Sequence, residues 1–229
     1  MSSVMSMFES MKESLSAPKG TGSGFSGNNN VMRLKPGNTY LVRIVPNVKA
    51  PEKTFFHANQ HGWTSTSTGR FVSCTCPTTY GERCPLCEER FKLYERAKKS
   101  GSARDKELAA LLRKSEKHYC NVYIVDDPVT PENNGTVKIL RFAEQIKTKF
   151  DAAISGDDAS EFGARVFDLS DKGCNFKIKV ETTTGDKGKE DKAFTSYSNS
   201  RFCGPSAIPN MTAARIEEVY NSIHDLEVM

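Results

Sequence analysis

The chain has 229 residues, 37% of them hydrophobic, and a formal net charge of +4, enough for one core carrying an insertion or for two small domains. No apolar run approaches the length of a membrane span, and residues 1–15 lack the basic and apolar regions of a secretory signal. Seven cysteines without such a signal imply a reducing compartment, where they act as metal ligands or, as expected of Cys120, Cys174 and Cys203, as buried small hydrophobes.

Val4, Met7, Phe8, Met11 and Leu15 recur at helical spacing, and Ser16–Asn30 is rich in Gly, Ser and Asn, so residues 1–30 read as an amphipathic stretch followed by a flexible linker. Folding is expected from about Val31. Thr39–Val45 and Lys53–Ala58 have the β-branched and aromatic content of strands. Helices are expected at Pro85–Lys99 and Ala103–Lys117, joined at Ser100-Gly101. Tyr119–Val125 and Val137–Phe142 read as paired strands around the turn-rich Asp126–Gly135. Ala143–Ile154 reads as a helix, and Asn175–Glu181 alternates Phe176, Ile178 and Val180 against Lys177 and Lys179 as a half-buried strand does. A charged Gly185–Asp191 loop precedes a strand at Phe194–Tyr197, and Met211, Ile216, Val219, Tyr220, Ile223 and Leu226 mark a C-terminal helix over 211–229. The fold class is β-rich α+β.

Between the early strands and the first central helix, His61, Cys76, Cys84 and Cys87 form a His-x14-Cys-x7-Cys-x2-Cys series. The Cys84/Cys87 knuckle sets two thiolates on one side of a small cation, and a more distant pair completes a tetrahedron, the arrangement of one structural zinc. Four protein ligands leave no position for water, so such a site builds shape and does not hydrolyse. Cys74 competes with Cys76 for the second place, and His57 competes more weakly with His61. The competing reading of the knuckle is a redox or buried-thiol pair, because Cys-Pro-x-Cys also occurs in thioredoxin-type sites.

Charge is distributed unevenly. Residues 31–120 hold 17 Lys/Arg against 8 Asp/Glu, and residues 121–229 hold 13 against 18. Clustered cations are what a polyanion-binding face requires, whatever the total. Aromatics adjoin cations at Arg70-Phe71, Arg141-Phe142, Arg201-Phe202, near Tyr94 and Tyr119, and beyond the Lys-rich loop at Phe194 and Tyr197. Single-stranded nucleic acid is bound by this combination: cations track phosphates while ring faces stack on unpaired bases, at roughly 1–3 kcal/mol per base.

His61-Gly62-Trp63, Thr75-Cys76 with Cys84-Pro85-Leu86-Cys87, Asn121–Val125 leading to Asp127-Pro128 and Pro131-Glu132-Asn133, Arg141-Phe142, Phe194–Tyr197, and Ser206-Ala207-Ile208-Pro209-Asn210 occur in this order between residues 61 and 210. Together they resemble the single-stranded DNA-binding (helix-destabilising) proteins of T-even-type bacteriophages. The resemblance implies an OB-fold core over residues 31–210, a zinc subdomain inserted at about 59–118, peripheral helices, and His61, Cys76, Cys84 and Cys87 as the zinc ligands. It implies DNA contacts at Tyr119, Phe194 and Tyr197 and a basic-plus-hydroxyl element at Arg113-Lys114-Ser115, while Arg141 and Arg201, each followed by a phenylalanine, are expected DNA contacts from the pairing of cations with aromatics. His118 and Leu140 stand where the family often has an aromatic. Expected partners are single-stranded DNA, neighbouring copies on the strand, and phage replication and recombination proteins where an acidic tail follows. The expected location is the cytoplasm of an infected bacterial host.

The family's N-terminal segment is basic and joins neighbours on DNA. Here residues 1–15 contain two Glu and one Lys, so such a contact would rest on Met7, Phe8, Met11 and Leu15. An enzymatic reading fails on chemistry: zinc nucleobase deaminases need His-x-Glu and Pro-Cys-x-x-Cys, whereas His61 precedes Gly62-Trp63 and Arg83 precedes Cys84. The alternative is a zinc-stabilised RNA-binding or protein-interaction module.

Overall fold

The computed structural model describes residues 2–16, 30–65, 67–184 and 193–227. The linker expected over Ser16–Asn30 lies, apart from its end residues, outside these, as does the Gly185–Asp191 loop. In chain order the elements are α1 (Ser2–Ser16), β1 (Thr39–Val45), β2 (Phe55–Thr64), β3 (Phe71–Thr75), α2 (Pro85–Ser100), α3 (Ala103–Leu111) and β4 (Lys114–Asp126). Then follow β5 (Val137–Phe142), α4 (Glu144–Ser155), β6 (Cys174–Lys179), β7 (Glu181–Thr184), β8 (Ala193–Ser196), β9 (Arg201–Pro205) and α5 (Ala213–Asn221). The chain is α+β with antiparallel strands, and it divides into two units.

The first unit takes its described residues from within Met1–Ala17, Asn29–Phe56 and His118–Leu226. Its strands run in the order β5-β4-β1-β6-β9, all neighbours antiparallel. Alternation along the strands puts Val42, Ile44, Val122, Ile124, Leu140, Phe142 and Phe176 on one face. Helix α4 answers with Ile146, Phe150, Ala153 and Ile154, a stripe at helical spacing. Phe150 is the hub, its ring 4.9 Å from Phe176, 5.0 Å from Phe142 and 5.5 Å from Phe202. The opposite face carries Val45, Tyr123 and Val137, packed with Leu169, Ile208 and Val219 of α5.

Helix α1 belongs to this unit. Met11 and Leu15 are buried in the Phe150 cluster with Met7 and Phe8 packed against it, and Phe8 meets Phe167 edge-on at 6.0 Å. Ser14 Oγ accepts from the Phe55 N–H at 3.2 Å and donates to the Met11 carbonyl at 2.7 Å, which locks the end of the helix. The face expected to meet neighbouring copies is thus engaged by its own unit. Deleting residues 1–16 should lower the unfolding free energy by about 3 kcal/mol, from two buried side chains at roughly 1.5 kcal/mol or more each. An unchanged urea midpoint would show that the helix does not dock in solution.

The second unit contains His57–Lys117. Strands β2 and β3 form a hairpin, with Gln60 opposite Thr75, His61 opposite Cys74 and Thr64 opposite Phe71. Its turn closes through Ser65 N–H to Arg70 O at 2.8 Å and uses Gly69 at φ +65°, a left-handed conformation that favours glycine. Pro85 opens α2, and Gly101 ends it at φ +69° with its N–H on Ala97 O. Ser102 then caps α3 by accepting from Asp105 N–H at 3.2 Å. Helix α3 stops at Leu111, short of the expected Lys117, because residues 114–117 are already strand β4.

A candidate metal centre and a candidate nucleic-acid surface

Strand β2 runs on through His61, so the histidine projects from a paired strand and not from a loop. Cys76 follows the end of β3 and is pinned by its N–H on Asn59 O at 2.7 Å. Cys84 stands just before α2 and Cys87 lies in its first turn, which closes the knuckle. These four residues meet: Cys84 Sγ lies 3.3 Å and Cys87 Sγ 3.5 Å from His61 Nε2, and Cys76 Sγ is 3.6 Å from Cys87 Sγ. A tetrahedral zinc with Zn–S near 2.3 Å and Zn–N near 2.0–2.1 Å would have S···S edges of about 3.8 Å and S···N edges of about 3.6 Å. The donor set therefore fits that ion in both chemistry and size.

The second shell fits as well. His61 is 1% exposed, and its Nδ1 faces the Leu112 carbonyl at 2.9 Å, which fixes a proton on Nδ1 and leaves Nε2 as a donor to a metal. Burial first, with the Lys114 and Arg90 charges adding to it, holds the imidazole below its ordinary pKa although the Leu112 bond opposes this, so the ring is neutral as a ligand must be. The Thr78 hydroxyl lies 3.0 Å from Cys76 Sγ. Cys87 is pushed up to about 12 by burial first and then by Cys76 and Cys84: three thiols this close resist multiple negative charges until a cation joins them. Cys74 sits opposite His61 on the hairpin yet is exposed, and His57 pairs at 3.8 Å with Glu116 instead. The geometry therefore selects Cys76 and His61 from the alternatives. Nothing in the sequence pointed to the Leu112 carbonyl, because a backbone acceptor has no residue signature.

Arg113, just before β4, and Lys114, its first residue, are exposed in the second unit, and Lys114 Nζ reaches Thr78 Oγ1 at 3.4 Å. In the first unit, Arg141 is exposed on β5, and Arg201 is exposed on β9 opposite Lys177. Phe194 on β8 is 57% exposed. Tyr197 is half-buried, its N–H held by Gln145 Oε1 at 2.8 Å; burial raises its hydroxyl pKa while the nearby Arg141 charge opposes the rise. Tyr119 departs from expectation. It is 1% exposed with its ring 5.9 Å from Phe56, so the protein already occupies the face meant for a base. His118 is stacked on Phe142 at 5.5 Å, and Leu140 is buried.

Comparisons with known proteins agree on one family. The family model described as "gp32 DNA binding protein like" matches residues 35–229. The "Single-stranded DNA-binding protein" of Enterobacteria phage T4 is 29% identical over 196 residues, and that of Enterobacteria phage T2 is 28% identical over the same length. Each alignment covers 82% of this chain but 58% of the relative.

Proposed function

This chain belongs to the gp32 DNA-binding-protein-like family, and from that membership we propose that it is a sequence-independent single-stranded DNA-binding protein serving phage DNA replication, recombination and repair. The observation that carries the reading is the family match over residues 35–229, joined to two phage relatives named for single-stranded DNA binding. The five-stranded antiparallel sheet of the first unit supports an OB-fold core, and the His57–Lys117 unit supports an inserted zinc subdomain at about 59–118. His61, Cys76, Cys84 and Cys87 would hold zinc as a cross-link with no open coordination position, so that site would build shape and not hydrolyse, and the role proposed for the protein is binding and not catalysis. Arg113, Lys114, Arg141 and Arg201 neutralise phosphates, and Phe194 and Tyr197 offer ring faces to bases. Neighbouring copies on the strand and phage replication proteins are the partners this role calls for, in the cytoplasm of the bacterial host. No described helix is long and apolar enough to cross a membrane.

Titrating zinc-loaded protein with fluorescent poly(dT) at several salt concentrations tests the reading. The logarithm of the binding constant should fall against log salt with a slope of about −0.7 per phosphate neutralised, hence about −3 for four cations. A salt-independent affinity, or duplex bound as tightly as single strand, would refute it. Equal affinity for poly(U) would shift the reading to single-stranded nucleic acid of either sugar.

A further inference from the structure

Among the described residues, eight large apolar side chains are exposed, and six of them lie in the second unit. Phe71 is the extreme case at 70% exposure. Its position is unusual for a surface ring. A Cβ built on Gly62 would lie 2.6 Å from Phe71 Cζ and 3.4 Å from both Cε atoms, so the ring touches the β2 backbone with its tip and is spaced evenly on either side. With a side chain at 62 the ring would have to move away, so the glycine between His61 and Trp63 permits this close approach. Alternation puts Gln60, Gly62, Thr64, Ser73 and Thr75 on the same hairpin face as Phe71. Its directly opposed partner is Thr64 and its diagonal partner is Gly62. The residues nearest the ring on the hairpin are therefore small or short and polar. The result is a largely exposed aromatic ring whose tip rests on the β2 backbone.

We propose that Phe71 is a base-stacking element of the second unit, which inserts beside or between unpaired bases of a single strand whose phosphates follow this unit's cations. The proposal rests on the single-stranded DNA reading and extends it to a residue outside the contacts assigned above. A base has a π-face whatever its sequence, so an exposed ring adds affinity without adding sequence preference. The surrounding charge suits such a ligand: between His57 and Lys117 there are 12 Lys/Arg against 7 Asp/Glu. The nearest of these in sequence, Arg70, is itself exposed.

The test uses the full zinc-loaded chain with fluorescein-labelled oligo(dT) and a matched oligonucleotide carrying abasic sites, which keeps phosphates and lacks bases. Phe71→Ala and Phe71→Leu should both weaken binding to oligo(dT) by about 5- to 150-fold, the range of one lost stack. Phe71→Tyr should retain wild-type affinity, the salt slope should not change, and the penalty should vanish on the abasic strand. Phe71 also shields the Gly62 backbone, so Phe71→Ala can lower the denaturation midpoint; Phe71→Leu keeps an apolar cover and separates the two roles. Wild-type affinity in Phe71→Leu, or an equal penalty on the abasic strand, overturns the stacking role while leaving single-stranded DNA binding intact. A wild-type protein that binds neither strand overturns the functional reading itself, and this inference with it.

Discussion

Replacing Cys87 by serine should abolish the proposed zinc binding and unfold the second unit while the first survives. The magnitude follows from how little else holds that unit together. Apart from the cysteines, its buried apolar side chains among the described residues are Ala58, Leu93 and Ala109. A two-stranded hairpin and two helices around so small a core are not stable alone in water. Structural zinc contributes on the order of 10 kcal/mol to folding at such sites, and serine is a poor zinc ligand at neutral pH because its hydroxyl keeps its proton. Metal analysis of purified Cys87→Ser should therefore find no stoichiometric zinc, and limited proteolysis should cut within residues 57–117. The Phe150 cluster draws on none of these ligands and should keep its own cooperative transition. Cys74→Ser is the internal control. Cys74 is exposed and lies outside the four-atom cluster, so its loss should leave metal content and protease resistance unchanged. Zinc retained in Cys87→Ser, or lost in Cys74→Ser, would overturn the ligand set.

The contrast between Cys74 and Cys76 shows where sequence reasoning stops. Spacing places a histidine and three thiols in one neighbourhood, but two cysteines separated by one residue compete equally until a backbone bond decides between them. Here the Cys76 N–H on Asn59 O ends the hairpin and sends Cys76 inward. Strands β1 and β5 have the bounds their composition predicts, because β-branched and aromatic residues alternate with little competition from turns. The β3 run Phe71–Thr75 is short and exposed at four of its five positions, so it has no burial pattern to detect, and β9 ends in Gly-Pro. Lys114–Lys117 read as helix because Lys, Ser and Glu favour or tolerate one; they belong to the strand whose following residues, His118 and Tyr119, pair with Phe142 and Arg141. Tertiary pairing overrode a weak local preference. Tyr119 illustrates the same limit for function, since an aromatic beside cations looks the same in sequence whether its face meets solvent or, as here, Phe56.

Arg43 carries the second large effect, and it reverses what charge counting suggests. It contributes to the cationic surplus of residues 31–120, yet it is 0% exposed. Its Nε donates to Asn175 Oδ1 at 2.8 Å, Nη1 to the carbonyls of Asp168 at 3.0 Å and Ser170 at 2.9 Å, and Nη2 to the Ser206 carbonyl at 2.7 Å. One planar fork thereby ties β1 to the loop before β6 and to the segment after β9, and Asn175 Nδ2 closes the circuit on Ser206 Oγ at 3.0 Å. Gly173 is part of the same construction, because a side chain there would collide with the Asp168 carbonyl and with Arg43 Nη1. Burial pulls the guanidinium below its ordinary pKa, but that value starts so high that the charge persists at neutral pH. Arg43→Met fills the volume and strands several acceptors without donors, so it should destabilise the protein by about 3–5 kcal/mol, since each buried acceptor left without a donor costs roughly 1–3 kcal/mol. Arg43→Lys should recover little, since an ammonium has three donors and no planar fork to reach acceptors on three segments. Urea denaturation of zinc-loaded protein provides the measurement, and a loss below about 1 kcal/mol in Arg43→Met would contradict the structural role. Under conditions where the variant remains folded, the salt slope of poly(dT) binding should equal that of the wild type, because a cation sealed inside the first unit releases no counterion from DNA. A slope reduced by about 0.7 would instead return Arg43 to the phosphate-binding surface.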